Sequence, residues 1–254
     1  MIMQADRRRA HLIDMVRGWL ILIVVVYHTL YDLTAIFGVP LPFFWGRPFQ
    51  AFRVSCVMAF LFISGMVSAY SQNSLKRAGK LVLYAALISI VSFFALPDSP
   101  IYFGIIHLYA ACSLLYHLIG RFIKAPAAWI GATTCLCLFM VFYHVGEGYL
   151  YFGIANLDLP RCLYQTGWFM PLGFPGSDFS SADYYPVLPW IFMFLCGAFY
   201  AQDLKAGELP DYVYAPTRWP IIEKIGRNTL AVYIIHQPVV LGVLYLIFTV
   251  MPMR

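Results

Sequence analysis

The sequence predicts an all-α, polytopic membrane bundle of about seven spans, with a cytoplasmic N-terminus and a long outer loop between spans five and six. Three observations predict it. Of 254 residues, 61% are hydrophobic and only 11% are charged, against roughly 45–50% and about 25% in soluble domains. The mean hydropathy is +0.74, and a soluble core of this size cannot hide that much apolar surface. The apolar residues also fall in continuous runs, which excludes the weak alternation of barrel strands. With 18% aromatic residues, the chain cannot stay disordered and solvated.

A crossing helix needs about 20 mostly apolar residues. Such runs occur at residues 14–37, 51–70, 81–96, 101–122, 127–144, 187–202 and 229–250, and 81–96 is the shortest. Arg7, Arg8 and Arg9 precede the first run in the manner of a signal peptide. The run leads into His28, Tyr31 and Asp32 without a small-residue cleavage site, so it reads as a retained helix. Residues 146–186 hold six Gly and four Pro and read as one loop, of which 149–157 is apolar enough to dip into the bilayer. Residues 1–254 read as a single integral-membrane domain.

Placing the N-terminus in the cytoplasm puts thirteen Lys and Arg residues on the inner side and four on the outer side. The positive-inside rule sets the orientation from that split. It also accounts for the net charge of +5 without a nucleic-acid partner. Five of the six cysteines lie inside expected spans and Cys162 lies in the loop. They form neither a disulfide framework nor a metal-ligand spacing, so no metal site is expected.

The first span carries the informative residues. From Arg17 to His28 the helix turns about 1100°, within about 20° of whole turns, and Asp14, Tyr31 and Asp32 flank the same stripe. Ionisable groups at membrane depth cost at least ~2.5 kcal/mol each at the centre, so such a stripe faces a polar interior. Asp32, one turn beyond His28, is placed to accept an imidazole hydrogen bond and fix the tautomer of a general base. The competing reading is a His–Asp pair that merely satisfies itself inside a bundle. His107 and His236 also lie at depth, and His236 is followed by Gln237 and the helix-kinking Pro238. For either histidine alone, a packed core role competes with a site role. Ser64-Gly65 reads as a close helix contact. The sequence contains no G-x-S-x-G, P-loop, G-x-G-x-x-G or H-E-x-x-H motif.

Ile13-Asp-Met-Val-Arg-Gly18 with His28-Thr-Leu-Tyr-Asp-Leu33 resembles the bacterial heparan-α-glucosaminide N-acetyltransferase catalytic-domain family. Further matches are Leu61-Phe-Ile-Ser-Gly65, Phe103-Gly-Ile-Ile-His-Leu108, Tyr184-Tyr-Pro-Val-Leu-Pro-Trp190 and Ile225-Gly-Arg-Asn-Thr-Leu-Ala-Val-Tyr-Ile-Ile-His-Gln-Pro238. The Arg-Gly to His spacing is also similar to the wider transmembrane acyltransferase superfamily. The resemblance implies transfer of an acetyl group from cytosolic acetyl-CoA, a donor and not a resident cofactor, to an extracytoplasmic amino sugar or glycan. It implies residence in a bacterial cytoplasmic membrane, with the lipid bilayer as partner and a homo-oligomer allowed. The superfamily's first-helix base falls on His28. The lysosomal branch instead carries Asn at that position and its catalytic His in the following loop, whereas this chain has no His between residues 29 and 106.

With that activity, His28 and Asp32 are the expected catalytic pair. Arg17, Asp14, His107, His236, Tyr31 and Gln237 would line the substrate site. Arg17, Lys76, Arg77, Lys80, Arg121, Lys124 and Arg227 would hold the CoA phosphates. Two rival classes use the same residues differently: a proton-coupled transporter or flippase using the stripe as a relay, and a non-catalytic partner subunit using the aromatic outer loop as an interface.

Overall fold

The computed structural model describes residues 9–70, 74–95, 97–120, 122, 127–206 and 210–250. The helices are α1 (His11–Ala35), α2 (Arg47–Tyr70), α3 (Ser74–Ala95), α4 (Ile105–Ile119), α5 (Ala128–Phe142), α6 (Val187–Ala206), α7 (Asp211–Tyr214), α8 (Pro220–Arg227) and α9 (Thr229–Val250). Between α5 and α6 lies a short antiparallel hairpin of β1 (Tyr149–Tyr151) and β2 (Asn156–Asp158), with Leu150 opposite Leu157.

Each of the seven expected spans coincides with a helix, but their lengths differ from the expectation. Among the described residues, five helices are long and apolar enough to cross a membrane: His11–Ala35, Arg47–Ala69, Leu75–Ala95, Ala128–Glu147 and Thr229–Val250. Ile105–Ile119 and Val187–Ala201 are apolar but shorter. At about 1.5 Å per residue, α4 spans only about 22 Å of a core that is about 30 Å thick. The expected short span at 81–96 is in fact the 22-residue α3. Lys76, Arg77 and Lys80, which precede the apolar run, belong to its first turns, because long basic side chains are good helix formers. The apolar part of the long loop between α5 and α6, 149–157, falls in the hairpin. Its three-residue strands are far shorter than the roughly 9–11 residues of a spanning strand.

The chain divides into two compact units. In the first, residues 9–60 and 210–250, α1 packs along α8, α9 and α7. Two glycines allow α1 and α8 to meet at backbone distance. A methyl group on Gly18 would overlap the Ile222 carbonyl, and one on Gly226 would overlap the Asp14 carbonyl. Pro220 opens α8, where its missing N–H costs nothing. Farther along α1, Tyr27 packs on the fully buried Phe44, which also meets Phe49. Phe37 stacks on Phe248 of α9 at 4.5 Å between ring centres.

The second unit, residues 61–208, pairs α5 with α6, α3 with α4, and α4 with α6. Its tightest crossing confirms the close-contact reading of Ser64-Gly65. A Cβ on Gly65 would strike the Phe194 carbonyl, and one on Gly197 would strike that of Phe62. Cys135, Cys196 and Phe199 form a small buried cluster beside this crossing. The α4 N-terminus receives its capping acceptor from far along the chain, since the Ile105 N–H donates to the Asp183 carboxylate at 3.0 Å.

Candidate active site

Within the first unit, the polar residues of α1 form two separate groups. The lower group is an ion-pair network at the start of α1. Asp14 accepts from Arg9 at 2.8 and 3.0 Å, lies 3.5 Å from Arg17 and 3.8 Å from Arg227. Glu223, buried on α8, accepts from Arg227, pairs with the His11 Nδ1 at 2.8 Å and accepts from the Thr217 hydroxyl at 3.3 Å. The Arg227 hydrogen bond holds the Glu223 carboxyl below its ordinary range despite the opposing effect of burial, and His11 adds to that depression. The expected CoA cations Arg17 and Arg227 are therefore already partnered, although among the described residues three arginines face two carboxylates.

The second group lies about 16 Å farther along α1, eleven residues on from Arg17. There α1 meets α9, and the His28 and His236 rings stand 5.0 Å apart between centres at 52°. The Tyr27 ring packs edge-on against His28 at 5.6 Å. One turn on, Asp32 is buried at 1% exposure, and its two oxygens accept from the Gln237 side-chain amide at 3.0 and 2.9 Å. The carboxylate's hydrogen-bond partner is thus Gln237 on α9 and not the His28 imidazole. His236 is 7% exposed, and its Nδ1 lies 2.5 Å from the Tyr233 carbonyl. A carbonyl only accepts, so Nδ1 carries the proton and Nε2 carries a lone pair. That Nε2 and the Gln237 Oε1 are buried acceptors without a hydrogen-bond partner among the described residues. Buried polar atoms are nearly always paired, so two such acceptors on consecutive residues make this the candidate site. Pro238, inside α9 and next to Gln237, removes the amide that would otherwise bind the Ile234 carbonyl.

The remaining expected residues are placed as follows. Tyr31 packs near Phe44, at 6.3 Å. His107 belongs to the second unit, and both its nitrogens are engaged. The Gly104 N–H donates to Nδ1 at 3.3 Å, which leaves the ring proton on Nε2, 3.0 Å from the Ser89 hydroxyl oxygen. Ser89 in turn donates to the Ile101 carbonyl at 2.7 Å. This network ties α3 to the start of α4. Arg77 donates to Ser68 and to Tyr109, and its guanidinium stacks 5.6 Å from the Tyr109 ring centre. Lys76 and Lys80 are exposed. Arg121 and Lys124 lie outside the described residues. Among the described residues, no three His, Cys, Asp or Glu groups are gathered as metal ligands.

Sequence reasoning did not single out Glu223 or the Tyr233 carbonyl. Glu223 lies four residues before Arg227 on a short amphipathic helix, a spacing that could have flagged the ion pair. The role of a backbone carbonyl leaves no signal in residue type.

Comparison with known proteins agrees with the motifs. No curated protein and no solved structure matches the chain. The family model described as heparan-alpha-glucosaminide N-acetyltransferase, catalytic, matches residues 9–238. That stretch takes in the α1–α9 polar cluster and the network beneath it, and on this match the chain belongs to the heparan-alpha-glucosaminide N-acetyltransferase catalytic family.

Proposed function

We propose that this integral membrane protein of the acetyltransferase family takes an acetyl group from acetyl-CoA and passes it to an amino sugar or glycan, with His28 as general base. The observation that carries the reading is the His28–His236 ring pair within the family-matched region, beside two unpaired buried acceptors. In this scheme the acceptor amine or hydroxyl attacks the thioester carbonyl carbon. A new C–N or C–O bond forms, the C–S bond breaks, and His28 moves the acceptor's proton to the departing CoA thiolate. Asp32 and Gln237, locked to each other, would shape the wall of the site and offer Oε1 to a donor on the acceptor.

The donor's phosphates carry negative charge, and the Arg9, Arg17 and Arg227 group in the first unit has the complementary excess. Lys76, Arg77 and Lys80 in the second unit are candidates for the same charge chemistry, each testable by its own substitution. His107 is assigned a structural part, since both of its nitrogens already hold α3 to α4. We also assign seven crossings with a cytoplasmic N-terminus, based on the thirteen-to-four division of cations.

The test is direct acetyl transfer by the purified protein. Labelled acetyl-CoA is supplied with glucosamine and with short glucosaminide oligosaccharides, and N- and O-acetyl products are separated by mass spectrometry. Transfer by wild type and its loss by roughly 10²–10⁴-fold in His28→Ala is the expected result. Wild-type turnover in a folded His28→Ala protein would remove His28 from the centre of the reaction.

A further inference from the structure

The sequence places Asp32 as the group that orients His28, yet the Asp32 carboxylate is bound to Gln237. The same neighbourhood supplies another acceptor. The His236 Nδ1–H is committed to the Tyr233 carbonyl, which forces the lone pair onto Nε2. That atom is buried, and no described group donates to it. The ring next to it is His28, 5.0 Å away between centres. Two imidazoles joined by an N–H···N bond of about 2.9 Å have ring centres about 5 Å apart, so the rings are close enough for such a bond, although none joins them as they stand. The 52° angle between the planes leaves a side-chain rotation to complete the alignment.

We propose that His236 is the positioning residue for His28. Its Nε2 accepts the His28 ring N–H, fixes the His28 tautomer and leaves the second His28 nitrogen as the lone pair that acts on the acceptor. The inference rests on the acetyltransferase reading for its kinetic consequence but not for its geometry. With the His28 ring turned into line, the chain of bonds would run from the Tyr233 carbonyl through His236 to His28, so that a backbone group of α9 sets the protonation pattern of a residue on α1. When His28 takes up a proton, the charge is shared toward His236 and its bonded carbonyl. This arrangement needs no buried carboxylate in contact with the base. It also gives a reason for a histidine at residue 236. The position requires a donor on one side of the ring and an acceptor on the other, and the neutral imidazole provides both.

Two amide substitutions separate this role from a purely structural one. The Oε1 of Gln reaches the place of the imidazole Nε2, whereas the shorter Asn can replace only the Nδ1–H bond to Tyr233. His236→Gln is expected to keep kcat within about tenfold of wild type. His236→Asn is expected to lose about 100-fold in kcat, with the KM for acetyl-CoA unchanged. In parallel, nitrogen-15 NMR of histidine-labelled protein in detergent should show His28 as one neutral tautomer in wild type and in His236→Gln, and as a mixture in His236→Asn. An unaltered His28 tautomer in His236→Asn, or an active Asn variant beside an inactive Gln variant, would overturn the proposal. The NMR readout does not require turnover, so it judges the His236 role even if the wild-type protein fails to transfer acetyl groups to the sugars tested.

Discussion

Asp32 and Gln237, 205 residues apart in sequence, are joined by an amide that reaches both oxygens of one buried carboxylate at 3.0 and 2.9 Å. The contact joins the first long helix to the last and sits one turn from the paired histidines. Its energetic signature follows from asymmetry, because an unmatched buried polar group costs more than a matched pair gains. Gln237→Leu should therefore lower unfolding stability by about 3 kcal/mol, since it leaves the carboxylate without its donor. The double variant Asp32→Leu, Gln237→Leu should recover most of that loss. Denaturant unfolding in detergent checks both, and a double variant no more stable than the single one would contradict the pairing.

The close passage of α1 and α8 predicts a steric effect. Gly226→Ala puts a methyl group into the Asp14 carbonyl, and Gly18→Ala puts one into the Ile222 carbonyl. Both obstacles are backbone, so the helices must separate. Each substitution should destabilise the protein by about 1–3 kcal/mol, the range for overpacking. Gly79→Ala is the control, because nothing stands in the way of its added methyl group. Melting curves of the three variants should place only the control at the wild-type value or above it.

Glu223 predicts an acid-sensitive contact. Its carboxyl is held below the unfolded value of 4.5, chiefly by the Arg227 hydrogen bond. A depressed acid stabilises the fold above its unfolded pKa, and that contribution is lost as pH falls through the lower folded value. The protein should therefore lose stability progressively as the pH is taken below about 4.5, and the Glu223→Gln variant should show a flatter dependence over that window. Melting temperatures from pH 6 to pH 3 test it, and equal slopes for both proteins would refute it.

Arg17 should show a kinetic signature distinct from that of His28. It lies about 16 Å down the helix from the proposed base and contacts Asp14. Arg17→Ala should raise the KM for acetyl-CoA several-fold with little change in kcat, as expected for a binding contact alone. A large fall in kcat at saturating acetyl-CoA would place Arg17 in the chemical step instead.

Orientation is open to a labelling test. Ser177 is exposed in the segment between β2 and α6, which the cation split assigns to the outside. In a Cys162→Ala background, Ser177→Cys should react with an impermeant maleimide in intact cells. Reaction only after permeabilisation would reverse the orientation.

The helices were legible in the sequence because uncharged runs of this length must satisfy their backbone internally wherever lipid surrounds them. Their ends were less so. The start of α3 extends through Lys76, Arg77 and Lys80 because charged residues end an apolar run without ending a helix. Residue type and helical periodicity also placed Asp14, Arg17, His28 and Asp32 on one stripe, and the order of motifs pointed to the family that matches residues 9–238. Partner choice was a different matter. One-turn spacing made His28 the natural partner of Asp32, but a carboxylate bonds the nearest well-aimed donor, and only the packing of α9 on α1 brings Gln237 there. His107 and His236 looked alike in sequence, each a histidine inside an apolar run. The fold separates them by their bonds: both nitrogens of His107 are engaged by its own unit, whereas His236 keeps a buried lone pair beside His28. Composition and periodicity act along one helix and can be read from one dimension. The choice of hydrogen-bond partners is made between helices, and only the tertiary structure decides it.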